Sequence, residues 1–291
     1  MTARTATAIG FSAVLTWSLL ALFTVATDPM PPFQLSAISF GIGGLAGLIW
    51  VVTTQSAGQL RRVSWRVYAF GTLGLFGYHA FYFSALRLAP PAEAGLIAYL
   101  WPLLIVLFSG LLPGERLRPG HVAGAMAGFA GAALIIAAGV SGVSAGSLPG
   151  YGLALLCALT WSGYSVLSRR LGSTPTAAVT VYCLATAALS LGAHLVLETT
   201  AWPNTPRGWA ALIALGLGPV GLSFYAWDVG VKRGDIQLLG TASYAAPLIS
   251  TLVLILAGMT EPRREIFVAA VLISAGAGLA ARSGRTRRRR S

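Results

Sequence analysis

The sequence predicts an all-α integral membrane protein of ten transmembrane helices, arranged as two inverted five-helix repeats around a central cavity. Three observations lead to this prediction. The 291 residues are 56% hydrophobic and only 10% charged, whereas about a quarter of the residues in a soluble domain are charged. The chain divides into ten apolar runs, each long enough to cross a hydrocarbon core of about 30 Å. Short motifs recur at an offset of 144 or 145 residues.

The ten predicted helices follow in order from these apolar runs. They span 6–26, 33–53, 67–87, 93–112, 121–139, 150–168, 176–197, 209–229, 236–258 and 265–281. Because the connections are short, no separate soluble catalytic domain fits between the helices. The first run follows a short basic start, but its length of about twenty apolar residues exceeds the apolar core of a signal peptide. We therefore expect it to remain as a helix.

The pattern Gly-x-x-x-Tyr-x-x-Pro occurs once in the fourth run and once in the ninth. Its residues are Gly95, Tyr99 and Pro102 in the fourth run, and Gly240, Tyr244 and Pro247 in the ninth. The spacings i, i+4 and i+7 place each set on one helix face. Proline donates no amide hydrogen, so the carbonyls of Ala98 and Ser243 lose their helical partners, which is costly in hydrocarbon. The pattern predicts two helix breaks at a binding site; the alternative is two ordinary prolines served by neighbouring helices or water.

A second repeat divides the chain into halves. Leu15-Thr16-Trp17-Ser18 recurs as Leu159-Thr160-Trp161-Ser162, and Phe81-Tyr82 is echoed by Phe224-Tyr225. Each half holds five runs, so the predicted units are 1–146 and 147–291, joined near 140–149. Two copies of an odd-membered unit in series face opposite ways across the membrane. The sequence thus predicts a pseudo-two-fold axis in the membrane plane.

The charge distribution predicts the orientation. If the N-terminus is inside, 16 Lys and Arg residues lie on the inner side and 4 lie outside. This asymmetry predicts cytoplasmic termini in an inner (plasma) membrane. The net charge of +12 is concentrated in the connections and in the basic tail 282–290, which we interpret as a topology determinant that contacts anionic lipid. We expect no nucleic-acid partner.

The ionisable residues argue against enzymatic chemistry. None of the eight acids lies near the middle of a run, and no metalloprotease or aspartate-rich motif occurs, so we expect no catalysis, metal or cofactor. The run Gly216 to Gly221 fits the dinucleotide fingerprint but lacks the strand that this motif requires. Asp228 and Lys232, spaced i and i+4, predict an interfacial ion pair. Cys157 and Cys183 are expected to be buried thiols.

Aromatic residues and one histidine are the candidate binding residues. His79 is the one ionisable group deep within a run; its alternative role is a hydrogen bond to another helix. The aromatic candidates are Trp17, Tyr78, Tyr82, Tyr99, Trp101, Trp161, Tyr164, Tyr225, Trp227 and Tyr244. Interfacial belts and packing are the alternative for some of them. Tyr99 and Trp101 lie about 200° apart on an ideal helix, so both face one cavity only if the turn at Pro102 is distorted. Such a cavity suits a neutral or zwitterionic solute with an apolar or aromatic side chain.

These features resemble a known family. Two inverted halves of five runs, a tryptophan near the start of each half and Tyr-x-x-Pro in the fourth and ninth runs are similar to the drug/metabolite transporter superfamily of EamA type. Tyr99-Leu100-Trp101-Pro102 and Ala226-Trp227-Asp228-Val229-Gly230 resemble its YddG branch of aromatic amino acid exporters. The resemblance implies a ten-helix basket, alternating access and efflux of aromatic amino acids from the cytoplasm. Asp228 departs from the asparagine expected in that branch, so no role is carried over to it.

The resulting hypothesis is a monomeric exporter of aromatic and other neutral amino acids, or similar metabolites, that works downhill by alternating access. Three alternatives remain open: an exporter of other amphipathic metabolites or drugs coupled to protons, a channel, and a membrane scaffold without flux. Proton and sodium sites usually use an intramembrane carboxylate. Glu93 is the only candidate for one in this sequence.

Overall fold

The computed structural model describes residues 1–137, 145–259, 261–262 and 264–288. Over these ranges the regular structure consists of fifteen α-helices and a short 3-10 turn, with no strand. The helices of the first half are α1 (Ala3–Trp17), α2 (Leu20–Ala26), α3 (Pro32–Thr53), α4 (Ala57–Leu60), α5 (Trp65–Leu88), α6 (Pro91–Ala98), α7 (Trp101–Ser109) and α8 (Pro119–Ile136). Those of the second half are α9 (Leu148–Arg170), α10 (Ala178–Leu197), α11 (Pro206–Leu217), α12 (Leu222–Arg233), α13 (Ile236–Ala242), α14 (Ala245–Leu256) and α15 (Arg264–Arg288).

These helices form the ten predicted membrane segments. Within the described ranges, nine helices or consecutive helix pairs are long and apolar enough to cross a membrane. The tenth segment is α5, whose 24 residues are sufficient in length but whose tyrosines and His79 lower its hydropathy. Every predicted helix start lies within three residues of the observed start. The end predicted at residue 139 and most of the joint at 140–149 lie outside the described residues.

Helix packing follows an approximate two-fold symmetry between the halves. α1 packs on α12 and α9 packs on α5, and these two contacts interchange when the first half is exchanged for the second. The contacts of α5 with α10 and of α3 with α11 interchange in the same way. The pairs α3 and α10, and α8 and α15, each join segments that the exchange relates to one another. The fold is therefore the predicted pair of inverted five-helix repeats.

One glycine shows why these helices can approach closely. A Cβ atom built on Gly124 of α8 would lie 2.5 Å from the carbonyl oxygen of Gly276 on α15. The two backbones therefore touch, as small residues allow in membrane helices.

The fourth and ninth segments break at equivalent positions. The first break separates α6 from α7 at Tyr99 and Leu100, and the second separates α13 from α14 at Ser243 and Tyr244. Pro102 is the second residue of α7 and Pro247 the third residue of α14, where a missing N–H costs little because the first amides of a helix have no internal partner.

The free carbonyl expected at Ser243 is absent. The Ser243 oxygen accepts a hydrogen bond from the N–H of Ala246 at 3.1 Å. The backbone forms a tight turn at Ser243, so this carbonyl has a hydrogen-bond partner although Pro247 cannot donate to it. The prediction of a free acceptor was wrong at this position.

Two further breaks were not predicted. The first segment is interrupted between α1 and α2, and the eighth between α11 and α12. The expectation of one continuous helix over 209–229 was therefore wrong. Gly218 and Gly221 both adopt non-helical backbone angles at this break, and Pro219 between them donates no amide hydrogen. The glycines allow close packing here: a Cβ built on Gly216 would lie 2.5 Å from that of Ile42.

The charged connections define two ends of the bundle. At one end, Arg169 pairs with Glu115 and donates to the carbonyl oxygens of Val231 and Gly234. We call this the basic end. At the other, which we call the far end, the buried Glu198 carboxylate accepts from the Phe33 N–H that begins α3. The connections therefore alternate between the two ends as the repeat predicts.

Candidate functional site

Four tryptophans meet in the interior of the bundle. Trp17 of α1 lies with its ring centroid 5.1 Å from that of Trp227 on α12 and 5.8 Å from that of Trp161 on α9. Trp101 of α7 lies 6.4 Å from Trp161. Trp17 and Trp161 occupy equivalent places in the two halves, and two equivalent residues can touch only near the axis that relates them. The four rings, which we call the aromatic cluster, therefore mark the centre of the molecule.

Three tyrosines extend the aromatic cluster. The rings of Tyr78 and Tyr82, one turn apart on α5, are parallel with centroids 6.3 Å apart. Tyr78 lies 5.5 Å from Trp161, and Tyr99 lies 6.4 Å from Trp101. The break after Tyr99 brings it to the same side as Trp101, as the expected distortion required. All three tyrosines are half-buried beside the aromatic cluster, so we place the central cavity on this side of the cluster.

Several polar groups of this cavity are unused by the protein. The hydroxyls of Tyr78, Tyr82 and Tyr99 form no hydrogen bond with any described residue, and the same holds for the indole N–H groups of Trp101 and Trp161. None of these five groups is among the fully buried atoms of the described chain that lack a partner. They are therefore accessible and can donate to or accept from a bound molecule.

The other two indoles are held by the protein. Trp17 donates to the carbonyl oxygen of Pro219 at 2.9 Å and lies 3.0 Å from the Ser223 hydroxyl. Trp227, which is fully buried, donates to the Ser165 hydroxyl at 3.0 Å. A satisfied N–H fixes the orientation of each ring. Trp17 and Trp227 thus present their rings, and no free donor, to the cluster.

His79 faces aromatic rings. Its Nδ1 lies 2.8 Å from the carbonyl oxygen of Leu75, and because a carbonyl only accepts, Nδ1 carries the hydrogen. The ring stands edge-on to Phe40, with centroids 5.0 Å apart, and lies 5.1 Å from Tyr78. His79 is therefore oriented by its own helix, and its Nε2 remains as an acceptor.

Three predicted site residues lie away from the cavity. Tyr164 is buried behind the cluster, where it stacks on Trp161 at 5.2 Å. Tyr225 points to another side of α12, and its hydroxyl donates to the carbonyl of Gly43 at 3.3 Å. Tyr244 is fully buried, and its hydroxyl accepts from the N–H of Leu103 at 3.0 Å. In this structure these three side chains pack between helices.

The sequence missed one aromatic residue of the cluster. Phe224 has its ring centroid 5.6 Å from that of Trp161 and 5.3 Å from that of Phe40. Its spacing of three residues from Trp227 places both on one face of α12. This spacing could have identified Phe224 from the sequence. The match of Phe81-Tyr82 to Phe224-Tyr225 instead led us to select Tyr225.

The side chains of Asp228 and Lys232 on α12 bond to each other and to residues outside the aromatic cluster. Lys232 and Asp228 are 2.7 Å apart, and both side chains are buried. Thr176 donates to the Asp228 carboxylate at 2.8 Å, and Lys232 donates to the carbonyl of Thr174 at 3.0 Å. The predicted ion pair is therefore formed, at the end of α12. Among the described residues, no group of three or more His, Cys, Asp or Glu side chains could hold a metal ion.

Comparison with known proteins decides the family. The sequence matches the EamA-like transporter family twice, over residues 5–137 and again over residues 148–282. The chain belongs to the EamA-like transporter family. It is 53% identical over 282 residues to the aromatic amino acid exporter YddG of Ancylobacter novellus, with 96% of this chain and 98% of that protein covered.

More distant relatives and a solved structure agree with this assignment. The aromatic amino acid exporter YddG of Escherichia coli is 26% identical, with 86% of this chain and 88% of that protein covered. A solved crystal structure that is 52% identical superposes with a TM-score of 0.92, covering 96% of this chain and 98% of that one. The chain is thus an EamA-like membrane exporter over nearly its whole length.

The cavity of this EamA-like transporter is closed at the basic end. There α13 packs on α7, and five of the seven residues of α13 are buried. At the far end the equivalent helices α6 and α14 are not among the packed pairs of the described chain, and only Ala246 of the twelve residues of α14 is buried. The two ends differ although the repeats are alike. The half-helices are therefore packed together at the basic end and not at the far end.

Proposed function

We propose that this protein exports aromatic and other neutral amino acids from the cytoplasm by alternating access. The observation that carries the proposal is the aromatic cluster beside five accessible polar groups that no described residue uses. An aromatic ring gains about 0.5–1.5 kcal/mol per stacked pair beyond its area burial. Relatives named as aromatic amino acid exporters support the same substrate class.

The geometry suggests how such a substrate binds. Its side chain packs against Trp17, Trp101 and Trp161, and its carboxylate accepts from the indole N–H groups of Trp101 and Trp161. Its ammonium interacts with the tyrosine hydroxyls and with the faces of the rings. The proposed lining residues are Trp17, Tyr78, His79, Tyr82, Tyr99, Trp101 and Trp161.

The start of α7 is a second place where a substrate carboxylate could bind, because the first amides of a helix have no partner within the helix. The first of these, the N–H of Leu103, is taken by the Tyr244 hydroxyl. The indole N–H groups are therefore the donors that we assign to the carboxylate.

We further infer how the protein sits in the cell. The halves 1–146 and 147–291 act as two arms around the cavity, which the twofold family match supports. The basic end faces the cytoplasm of an inner membrane, with both termini on that side, because Lys and Arg are concentrated there. The chain works as a monomer, catalyses no reaction and binds no nucleic acid.

Transport in liposomes tests the function. Purified protein reconstituted into vesicles loaded with labelled phenylalanine, tryptophan or alanine should release the aromatic amino acids faster, and release should saturate with concentration. Empty vesicles and vesicles with the Trp161→Ala variant serve as controls. No flux would indicate a scaffold, flux without saturation a channel, and flux of unrelated amphipathic solutes alone a different exporter. Each of these three results would overturn the proposal.

A further inference from the structure

Polar side chains recur at every fourth position along the second half of α10. These residues, which we call the polar row, are Thr186, Ser190, His194 and Glu198. Residues four apart lie above one another on a helix, so the polar row forms a single stripe. All four side chains are buried. A buried polar stripe in a membrane helix needs hydrogen-bond partners, because hydrocarbon offers none.

The two ends of the polar row differ in their partners. At the far end of the bundle, the Glu198 carboxylate pairs with Arg87 and with His194. Deeper in the membrane, the hydroxyls of Thr186 and Ser190 are fully buried and have no hydrogen-bond partner among the described residues. Leaving a buried hydroxyl without a partner costs free energy. These two hydroxyls therefore point to a ligand.

The register of α5 and α10 shows what the two hydroxyls face. Two contacts, one near each end of these parallel helices, fix the register: Tyr182 on Gly71, and Glu198 with Arg87. Ser190 lies eight residues from both contact residues of α10, and His79 lies eight residues from both contact residues of α5. His79 and Ser190 therefore lie midway between the same two contacts, on the facing sides of the two helices.

One water molecule matches the groups that meet at this level. The Nδ1 of His79 binds the carbonyl of Leu75, so its Nε2 is an acceptor. The Cβ atoms of Thr186 and Ser190, one turn apart, are separated by about 5–6 Å. A single oxygen at about 2.8 Å from each hydroxyl bridges that distance. Because the charge of Glu198 is already compensated, the row favours a neutral ligand, and buried waters make about three hydrogen bonds.

We propose that Thr186, Ser190 and His79 hold a bound water molecule in the middle of the membrane, on the α10 side of His79. The water accepts from the two hydroxyls and donates to Nε2 of His79. Thr186 and Ser190 are thus positioning residues, because through the water they fix the ring whose other nitrogen is held by Leu75. The water site belongs to the protein itself and exists whichever solute is transported.

Nitrogen NMR of histidine-labelled protein in lipid nanodiscs tests the hydrogen bond. The chain has three histidines, and His79→Gln identifies the signals of His79. Ser190→Ala and Thr186→Val should each shift the Nε2 signal, because its hydrogen-bond donor is lost or displaced. Ser109→Ala changes a fully buried serine that donates to the carbonyl of Val106, and should leave that signal unchanged. An unchanged Nε2 signal in both variants of the polar row would overturn the proposal.

Thermal unfolding separates a bound water from a dry hydroxyl. Thr186→Val keeps the shape of the side chain and removes its hydroxyl. If the hydroxyl binds water, the unfolding midpoint should fall below that of the parent protein; if the hydroxyl is dry, its removal relieves an unsatisfied group and the midpoint should rise. Thr241→Val, at a fully buried threonine that donates to the carbonyl of Gln237, is the matched control. A rise for Thr186→Val would refute the water site.

The parent protein gives a test that needs no variant. A crystal structure should show an oxygen atom within hydrogen-bonding distance of the Ser190 hydroxyl and of Nε2 of His79. A map that shows other buried waters but no oxygen at this position would overturn the proposal, even if the variants of the polar row do not fold.

Discussion

At the scale of single residues, the repeats identified the centre of the molecule better than any one side chain did. Trp17 and Trp161 were singled out because they occur at equivalent places, and their rings touch at 5.8 Å. Tyr225 was singled out by a weaker echo, and its neighbour Phe224 is the residue in the cluster. Successive residues differ by about 100° around a helix. A dipeptide match therefore places the helix turn but cannot tell which of its two side chains faces inward.

Removing single tyrosine hydroxyls separates binding from stability. Tyr82→Phe removes an accessible hydroxyl without a protein partner, so it should weaken tyrosine and phenylalanine transport by about fivefold in apparent affinity and leave thermal stability unchanged. Tyr225→Phe removes a hydroxyl that donates to Gly43 and lies 3.1 Å from that of Thr180. It should lower the stability by about 1 kcal/mol and leave affinity unchanged. Concentration-dependent flux measures the affinity, and thermal unfolding in detergent measures the stability. A loss of stability in Tyr82→Phe and a loss of affinity in Tyr225→Phe would contradict these roles.

A larger truncation tests the aromatic surface itself. Tyr82→Ala removes a ring parallel to that of Tyr78 and should weaken aromatic substrates by about tenfold, because stacking contributes about 0.5–1.5 kcal/mol per pair. Alanine, which has no ring to stack, should lose less. The ratio of phenylalanine to alanine release from liposomes is the measurement. Equal losses for both amino acids would show that Tyr82 supports the fold and contacts no substrate side chain.

At the scale of helices, the sequence predicted the breaks beside Pro102 and Pro247. It missed the break at Pro219, and it also missed one that hydroxyl groups favour. The interruption between α1 and α2 contains neither glycine nor proline. Ser18 there donates its hydroxyl to the Val14 carbonyl at 2.9 Å, and Thr16 donates to Ala13 at 2.8 Å. Serine and threonine bonds of this kind compete with the helical ladder and bend helices. Such bonds depend on rotamers, so the residue types alone do not predict them.

The buried ion pair at the end of α12 offers a helix-scale prediction. Asp228→Asn leaves the Lys232 ammonium buried without its counter-charge, so the variant should lose about 3–5 kcal/mol of stability. Adding Lys232→Met to the same chain removes the unpaired charge and should recover most of that loss. Thermal unfolding in one detergent measures both variants. If Asp228→Asn is as stable as the parent protein, then the pair contributes nothing to holding α12.

At the scale of the whole molecule, the repeat predicted which helices pair but not which end of the bundle is closed. Exchange of the halves correctly relates the contact of α1 with α12 to that of α9 with α5. It predicts equal packing at both ends, yet α7 packs on α13 while α6 and α14 are not a packed pair in the described chain. The repeat alone therefore does not determine which pair of half-helices packs together, and in this structure it is α7 and α13.

Orientation in the membrane can be tested with single cysteines. Cys157 and Cys183 are buried, so they give little background labelling, and both are replaced by alanine as a control. A cysteine at Arg62, in a connection of the basic end, should react with an impermeant maleimide only in inside-out vesicles. A cysteine at Asn204, in a connection at the far end, should react only in right-side-out vesicles. The reverse labelling would place the basic end outside and contradict the predicted orientation.

The last prediction concerns energy coupling. The buried carboxylates of Asp228 and Glu198 are each paired with a basic side chain, Lys232 and Arg87 respectively. Glu93 is also buried, in the first turn of α6, so all three carboxylates lie near the ends of the bundle. At its centre His79 is held by the Leu75 carbonyl among aromatic rings, so its contribution is a hydrogen bond. We therefore expect transport to run down the substrate gradient without obligatory proton movement. Liposomes given a pH step but equal phenylalanine on both sides should show no accumulation. Accumulation that disappears in His79→Ala would establish proton coupling through this residue instead.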